Sequence, residues 1–193
     1  MVTSATRLAV LTALLAMAAC GGGDSSESLP QTEDAAPEAA PETAGARATC
    51  SLANFEAEML AAANTNRAAG ASCGSEGSFP AAPALAWSVL LTQAALVHSD
   101  DMVASNVFSH TGSDGSSAGQ RATAAGYVWH SLAENIAAGQ GNVAAVMNSW
   151  MASPGHCANI MRAGYKDIGV ACVNGGAGNT YRSYWTMSLG QAR

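Results

Sequence analysis

Three side chains in this 193-residue chain could do chemistry together. His110 lies in "FSHTGSDG", Glu134 in "LAENIAAG" and His156 in "SWMASPGHCANIM", where it precedes Cys157 and follows a turn expected at Pro154-Gly155. Each segment is flanked by Gly, Ser, Thr or Asn, a setting in which polar side chains stay accessible. Two imidazoles and one carboxylate are what a His₂-carboxylate metal site with open water positions requires. The same trio could act as base, acid and orienting group with no metal. The spacing is wide and carries no local signature such as H-E-x-x-H, so the fold must bring the three together.

Only part of the chain can form that fold. Arg7 followed by "LAVLTALLAMAA" reads as a secretion signal over residues 1–19, too short for a membrane span. "LAMAAC" resembles a bacterial lipobox, which would make Cys20 the acylated first residue of the mature protein; the alternative is plain cleavage near Ala19. Residues 20–49 are Gly, Ser, Pro, Ala and acid, which cannot bury enough surface to offset chain entropy, and are expected to form a disordered tether. Asp24, Glu27, Glu33, Asp34, Glu38 and Glu42 face Arg47 alone there, so much of the formal charge of −6 lies outside the domain. With no basic stripe, nucleic acid is not expected as a partner, nor is an anionic-lipid surface.

Residues 50–193 suffice for one domain with a single core. "LANFEAEMLAAANTNRAAG" reads as a helix, with Phe55, Met59, Ala62 or Ala63 and Asn66 at helical spacing and Gly70 as its stop. In the next apolar stretch Trp87, Leu91, Ala94, Ala95, His98 and Met102 share a helix face. "GQRATAAGY" suggests a short helix, and "NVAAVMNSWMAS" a longer one with Val143, Val146, Met147 and Trp150 on one side. "KDIGVACV", "NGGAGNT" and "YRSYWTMSL" read as strand, flexible turn and strand. Helices followed by a hairpin give an α+β sandwich around an antiparallel sheet.

Four cysteines remain once Cys20 is set aside, which implies an oxidising compartment and two disulfides. A helix over 52–69 separates its ends by roughly 27 Å. Cys50 and Cys73 lie beyond opposite ends, far outside the ~7 Å limit for bridged Cα atoms. That leaves Cys73–Cys157 with Cys50–Cys172, which we prefer, or the crossed arrangement.

Other candidates read as structural. His98 shares the apolar face of its helix and is expected to be a buried, hydrogen-bonded core residue. His130 is expected at the surface, and Met102, Met147 and Met151 as core fillers. Trp185 alternates with Tyr184 and Thr186 as a half-buried strand would. "GSSAG" matches G-x-S-x-G around Ser117, but no apolar strand precedes it, as a nucleophile elbow requires. "NGGAGN" lacks the following helix N-terminus of a phosphate cradle.

The motifs "HSDDM", "FSH", "DG", "QR", "AGY", "AENIAAG", "SWMASPGHCANIM", "DIGVAC" and "YWTMSLG" occur in that order. Together they resemble the bacterial branch of the CAP superfamily, or SCP domains, which includes cysteine-rich secretory proteins, venom antigens and plant pathogenesis-related proteins. The resemblance spans about residues 53–190 and implies an α-β-α sandwich with a cleft lined by two histidines and two acids. By motif these are His110, Glu134 and His156, with Ser153 where the second acid is expected and Ala133 in place of the glycine before Glu134. It implies a divalent cation, zinc foremost, on His110 and His156, and a lipid, sterol or protein ligand. The expected function is an exported, lipid-anchored binding module of the cell envelope, in the periplasm or on the cell surface, with Gly21 after Cys20 pointing to the outer membrane if the cell is Gram-negative. The alternatives are a metal-dependent hydrolase, peptidase or nuclease, with Glu134 as general base, and a purely structural envelope protein with a vestigial cleft.

Overall fold

The structure, a computed structural model, describes residues 48–193. The signal, Cys20 and nearly all of the tether lie outside the described residues. Helix α1 (Phe55–Ala69) buries Phe55, Met59, Ala63 and Arg67, a stripe of strict i, i+4 spacing. Arg67, rather than Asn66, therefore closes the apolar face. Gly70 ends the helix at φ 72°, a conformation that disfavours any side chain. Short strands β1 (Ala71–Ser72) and β2 (Ser78–Phe79) pair beyond it, and β3 (Ala86–Trp87) leads into α2 (Val89–Ser105). Trp87 belongs to β3 and not to the helix, because the Ser88 hydroxyl caps α2 one residue later by accepting from the Leu91 N–H.

Helix α3 (Ala118–Ala124) starts at a capping box, in which Ser117 and Gln120 satisfy one another's backbone N–H groups. Strand β4 (Trp129–Ala138) follows, then α4 (Val143–Ala152), capped by Asn142, and α5 (Pro154–Met161). Pro154-Gly155 is thus not a turn but the first turn of α5, where a proline without an N–H is well tolerated. Strands β5 (Asp167–Asn174) and β6 (Ser183–Ala192) complete the chain. The main sheet has the order β3-β5-β6-β4, antiparallel except for the short parallel pair β3–β5.

Both faces of this sheet are covered. On one side Trp185, Met187 and Leu189 of β6 meet Met59, Trp150 and Ile160 from α1, α4 and α5. On the other, Ser99 of α2 donates to Thr186 at 2.9 Å, and Met102 packs on Ile136 and Tyr184. Trp185 is consequently fully buried, not half-buried as its alternation suggested. Gly169 makes the close seating of α2 possible: a Cβ there would lie 2.2 Å from the Thr92 nitrogen. Two disulfides, Cys50–Cys172 and Cys73–Cys157, have Cα separations of 5.2 and 5.4 Å. The "NGGAGN" loop is pinned rather than loose, since Asn179 donates to the Val103 carbonyl at 2.7 Å and Asn106 accepts from the Thr180 N–H at 2.8 Å.

One charged group is buried completely without a carboxylate. Arg67 donates to the carbonyls of Pro83 at 2.7 Å, Ile160 at 2.6 Å, Arg162 at 3.0 Å and Tyr165 at 3.2 Å. Three of these carbonyls lie at or just beyond the C-terminal end of α5, where the helix dipole favours a cation. Arg67→Met keeps much of the volume but strands four acceptors. We expect it to lower unfolding free energy by about 3 kcal/mol or more, read from urea denaturation with both disulfides intact.

Candidate functional site

Glu134 sits on β4 with its side chain toward α2 and α3, and it is only 5% exposed. Its Oε1 lies 2.9 Å from His110 Nδ1, and its Oε2 accepts from Arg121 Nη2 at 2.8 Å. Facing a carboxylate, the His110 Nδ1 carries the proton, which leaves Nε2 as a lone pair on a side chain that is 56% exposed. The loop carrying His110 is clamped through its main chain as well. Arg121 donates to the His110 carbonyl at 3.1 Å, and His98 Nε2 donates to the Ser109 carbonyl at 2.9 Å.

His98 is buried, as expected of a core histidine, but it also lies 3.7 Å from Glu134 Oε1. Because a carbonyl can only accept, Nε2 of His98 must hold the proton and Nδ1 is a bare acceptor, buried and without a partner. Burial holds His98 below its usual pKa, against the pull of Glu134 and with the help of Arg121. For Glu134 burial works upward, yet the His110 hydrogen bond, His98 and Arg121 together outweigh it and hold the carboxyl below its usual range.

His156 reaches the site from the opposite helical layer, in the first turn of α5. Asn135, fully buried on β4, donates to the His156 carbonyl at 3.0 Å and is itself fixed by Asn159 at 2.9 Å. Cys157 ties the same turn to Cys73. Burial lowers the His156 pKa, and the nearness of His110 lowers it further.

His110, His156 and Ser153 border one cavity of about 450 Å³, together with Trp150, Gln140 and Tyr181. Glu134 does not line it. It stands behind His110 and borders a second groove of about 740 Å³ against α3. Among the described residues no group of three or more His, Cys, Asp or Glu side chains is arranged to hold a metal. His130 is exposed and away from both cavities, and Ser117 serves as the α3 cap. Arg121 and Asn135 are the site residues that the sequence did not single out, and His98 was singled out only as a core residue. Arg121 and Asn135 each stand within a motif quoted for its other residues, so their side chains had no signal of their own.

Residues 80–189 match the family described as the cysteine-rich secretory protein family, CAP. The chain belongs to this family. A relative, the uncharacterized protein YkwD of Bacillus subtilis (strain 168), is 32% identical over 99 residues, which are 51% of this chain and 36% of that protein. The chain thus spans little more than a third of the length of this curated relative. Among solved structures, an extracellular protein containing an SCP domain from Bacillus anthracis str. Ames aligns with a TM-score of 0.50 at 27% identity, over 57% of this chain and 34% of that one. An outer surface protein from Borrelia burgdorferi aligns with a TM-score of 0.52 at 18% identity, over 58% and 80% of the two chains, a likeness of fold.

The buried histidine, His156 and Glu134 all bias stability in the same direction with pH. Unfolded, a histidine binds a proton below about its usual 6.5. Folded, His98 and His156 bind it only at lower pH, so within that window the unfolded state holds more protons and stability rises with pH. Each contributes at most about 1.4 kcal/mol per pH unit inside its window. The thermal midpoint should therefore fall on acidification from pH 7.5 to 5. The slope should be shallower in His98→Gln, whose amide keeps a donor for the Ser109 carbonyl. An unchanged slope in that variant would remove His98 from the account.

Proposed function

We propose that this CAP protein is an exported binding module of the cell envelope whose cleft takes a divalent cation, zinc foremost, on His110 and His156. The observation that carries the reading is the pair of imidazoles on one cavity, with the His110 tautomer fixed by Glu134 so that Nε2 is offered to a ligand. A carboxylate–histidine pair of this kind raises ligand basicity and is a frequent outer partner of bound zinc. Both Glu134 oxygens are already engaged, so Glu134 suits the outer role rather than direct ligation. Two histidines leave coordination positions for water or for a ligand's oxygen, and a bound cation would supply Lewis acidity there.

Export is supported by the two disulfides, by the signal-like first nineteen residues and by the SCP-domain neighbour described as extracellular. A lipid anchor at Cys20 is proposed from the lipobox-like sequence alone. The hydrolase reading needs a free general base. Glu134 is a poor one, with a lowered pKa and both oxygens bonded. Ser153, on the rim of the cavity, offers a hydroxyl where a second carboxylate would stand. Binding therefore leads, with a lipid, sterol or protein as the organic ligand.

Zinc titration of the disulfide-intact chain tests the reading. The expected outcome is stoichiometric binding that disappears in the His110→Ala, His156→Ala double variant. Glu134→Gln should weaken it by about 10- to 100-fold. Equal zinc uptake by wild type and double variant, or none by either, would end the metal hypothesis.

A further inference from the structure

Strand β4 ends the sheet and is paired with β6 on one side only. In an antiparallel pair, successive residues turn their N–H and C=O groups alternately toward the partner and away from it. The Gly139 N–H donates to the Ser183 carbonyl at 2.9 Å, so the odd-numbered positions running back along β4 face β6. Leu132, Glu134, Ile136 and Ala138 therefore present their main-chain groups outward. Ile136 agrees: its carbonyl accepts from the Trp150 indole at 3.1 Å, a side chain standing where a strand would. Among the described residues nothing plays that part for Leu132, Glu134 or Ala138.

Between Leu132 and Glu134 this edge lacks the usual protection. Natural edge strands are blunted by proline, by outward charge or by a bulge, and the one register shift in β4 lies before Leu132. The Glu134 side chain is 5% exposed while the residue as a whole is half-buried, so the part open to solvent is mostly main chain. The two cavities also follow the edge in succession. Leu132 and Glu134 border the groove against α3, and Ile136 and Ala138 border the histidine cleft.

We infer that the outer edge of β4 binds an extended polypeptide by main-chain pairing at Leu132 and Glu134, leading its next residues between His110 and His156. The inference rests on the reading of the cleft as the binding site and names its ligand class. Affinity would come from strand addition, and selectivity from alternate side chains entering the groove beside Trp129, Ala118 and Thr123. Helices α3 and α5 both contact β4, which favours a single extended chain at this edge over the sheet of a folded second copy.

The test uses the full disulfide-intact chain and an immobilised library of capped random octapeptides, with a second library N-methylated at alternate residues. Amide exchange should be fast at Leu132 and Glu134 and slow at Ala133 and Asn135 in the free protein. A captured octapeptide should slow the two outward amides at least tenfold. Its N-methylated copy, and the groove-filling variant Ala118→Trp, should each lose at least tenfold in affinity. No capture, equal affinity of the N-methylated copy, or protection that grows with protein concentration alone would overturn the inference, the last assigning the edge to a second copy. Running each arm with zinc and with chelator separates the two readings. Capture without any zinc binding sinks the cation and leaves the edge, while zinc binding without capture does the reverse.

Discussion

The buried guanidinium of Arg67 is the constraint on which the layer carrying His156 depends. A cation removed from water needs compensation, and no carboxylate is supplied to it. Main-chain carbonyls from three separate stretches converge instead: Pro83, the end of α5 at Ile160 and Arg162, and Tyr165 ahead of β5. The planar, multi-donor head of arginine can satisfy such a set, and the single ammonium of lysine cannot match it. One side chain thereby fixes α1, the approach to β3 and the far end of α5. At eight residues α5 is only ~12 Å long, so holding its last turn also limits where its first turn, and His156, can point.

The cleft follows the same economy of main-chain attachment. His110 and His156 come from opposite sides of the sheet, and neither is held chiefly by its own ring. Arg121 and His98 grip the carbonyls at 110 and 109, while Asn135 grips the carbonyl at 156. Consecutive residues of β4 serve opposite layers, since Glu134 turns to one and Asn135 to the other. The pleat of a single strand therefore registers the two histidines against each other.

Much of this was legible in the sequence, for identifiable reasons. The 3.6-residue pattern placed α1, α2 and α4, and helix length excluded a Cys50–Cys73 bridge. Serial motifs led to His110, Glu134 and His156. What escaped was context supplied by tertiary packing. Pro154-Gly155 reads as a turn unless Pro154 is known to follow a helix end at Ser153. Strand β4 has a small, mixed sequence whose alternation is masked because both faces of its C-terminal half are covered. Arg67 carried no signal of its own, since nothing local announces carbonyls that arrive from nearly a hundred positions away. His98 was legible as buried, but its approach to Glu134 depends on how α2 lies across the sheet.

The disulfides are nested, Cys73–Cys157 inside Cys50–Cys172. The inner one closes a ring of chain that contains His110 and Glu134 and ends immediately after His156. A protease that cuts once inside this ring, for instance at the exposed Ser113–Gly115 tip between His110 and α3, opens the ring without releasing either piece. The fragments bearing the two histidines remain one covalent molecule, with both sides of the cleft still attached to the sheet. The cleft can therefore be nicked once and still stay assembled.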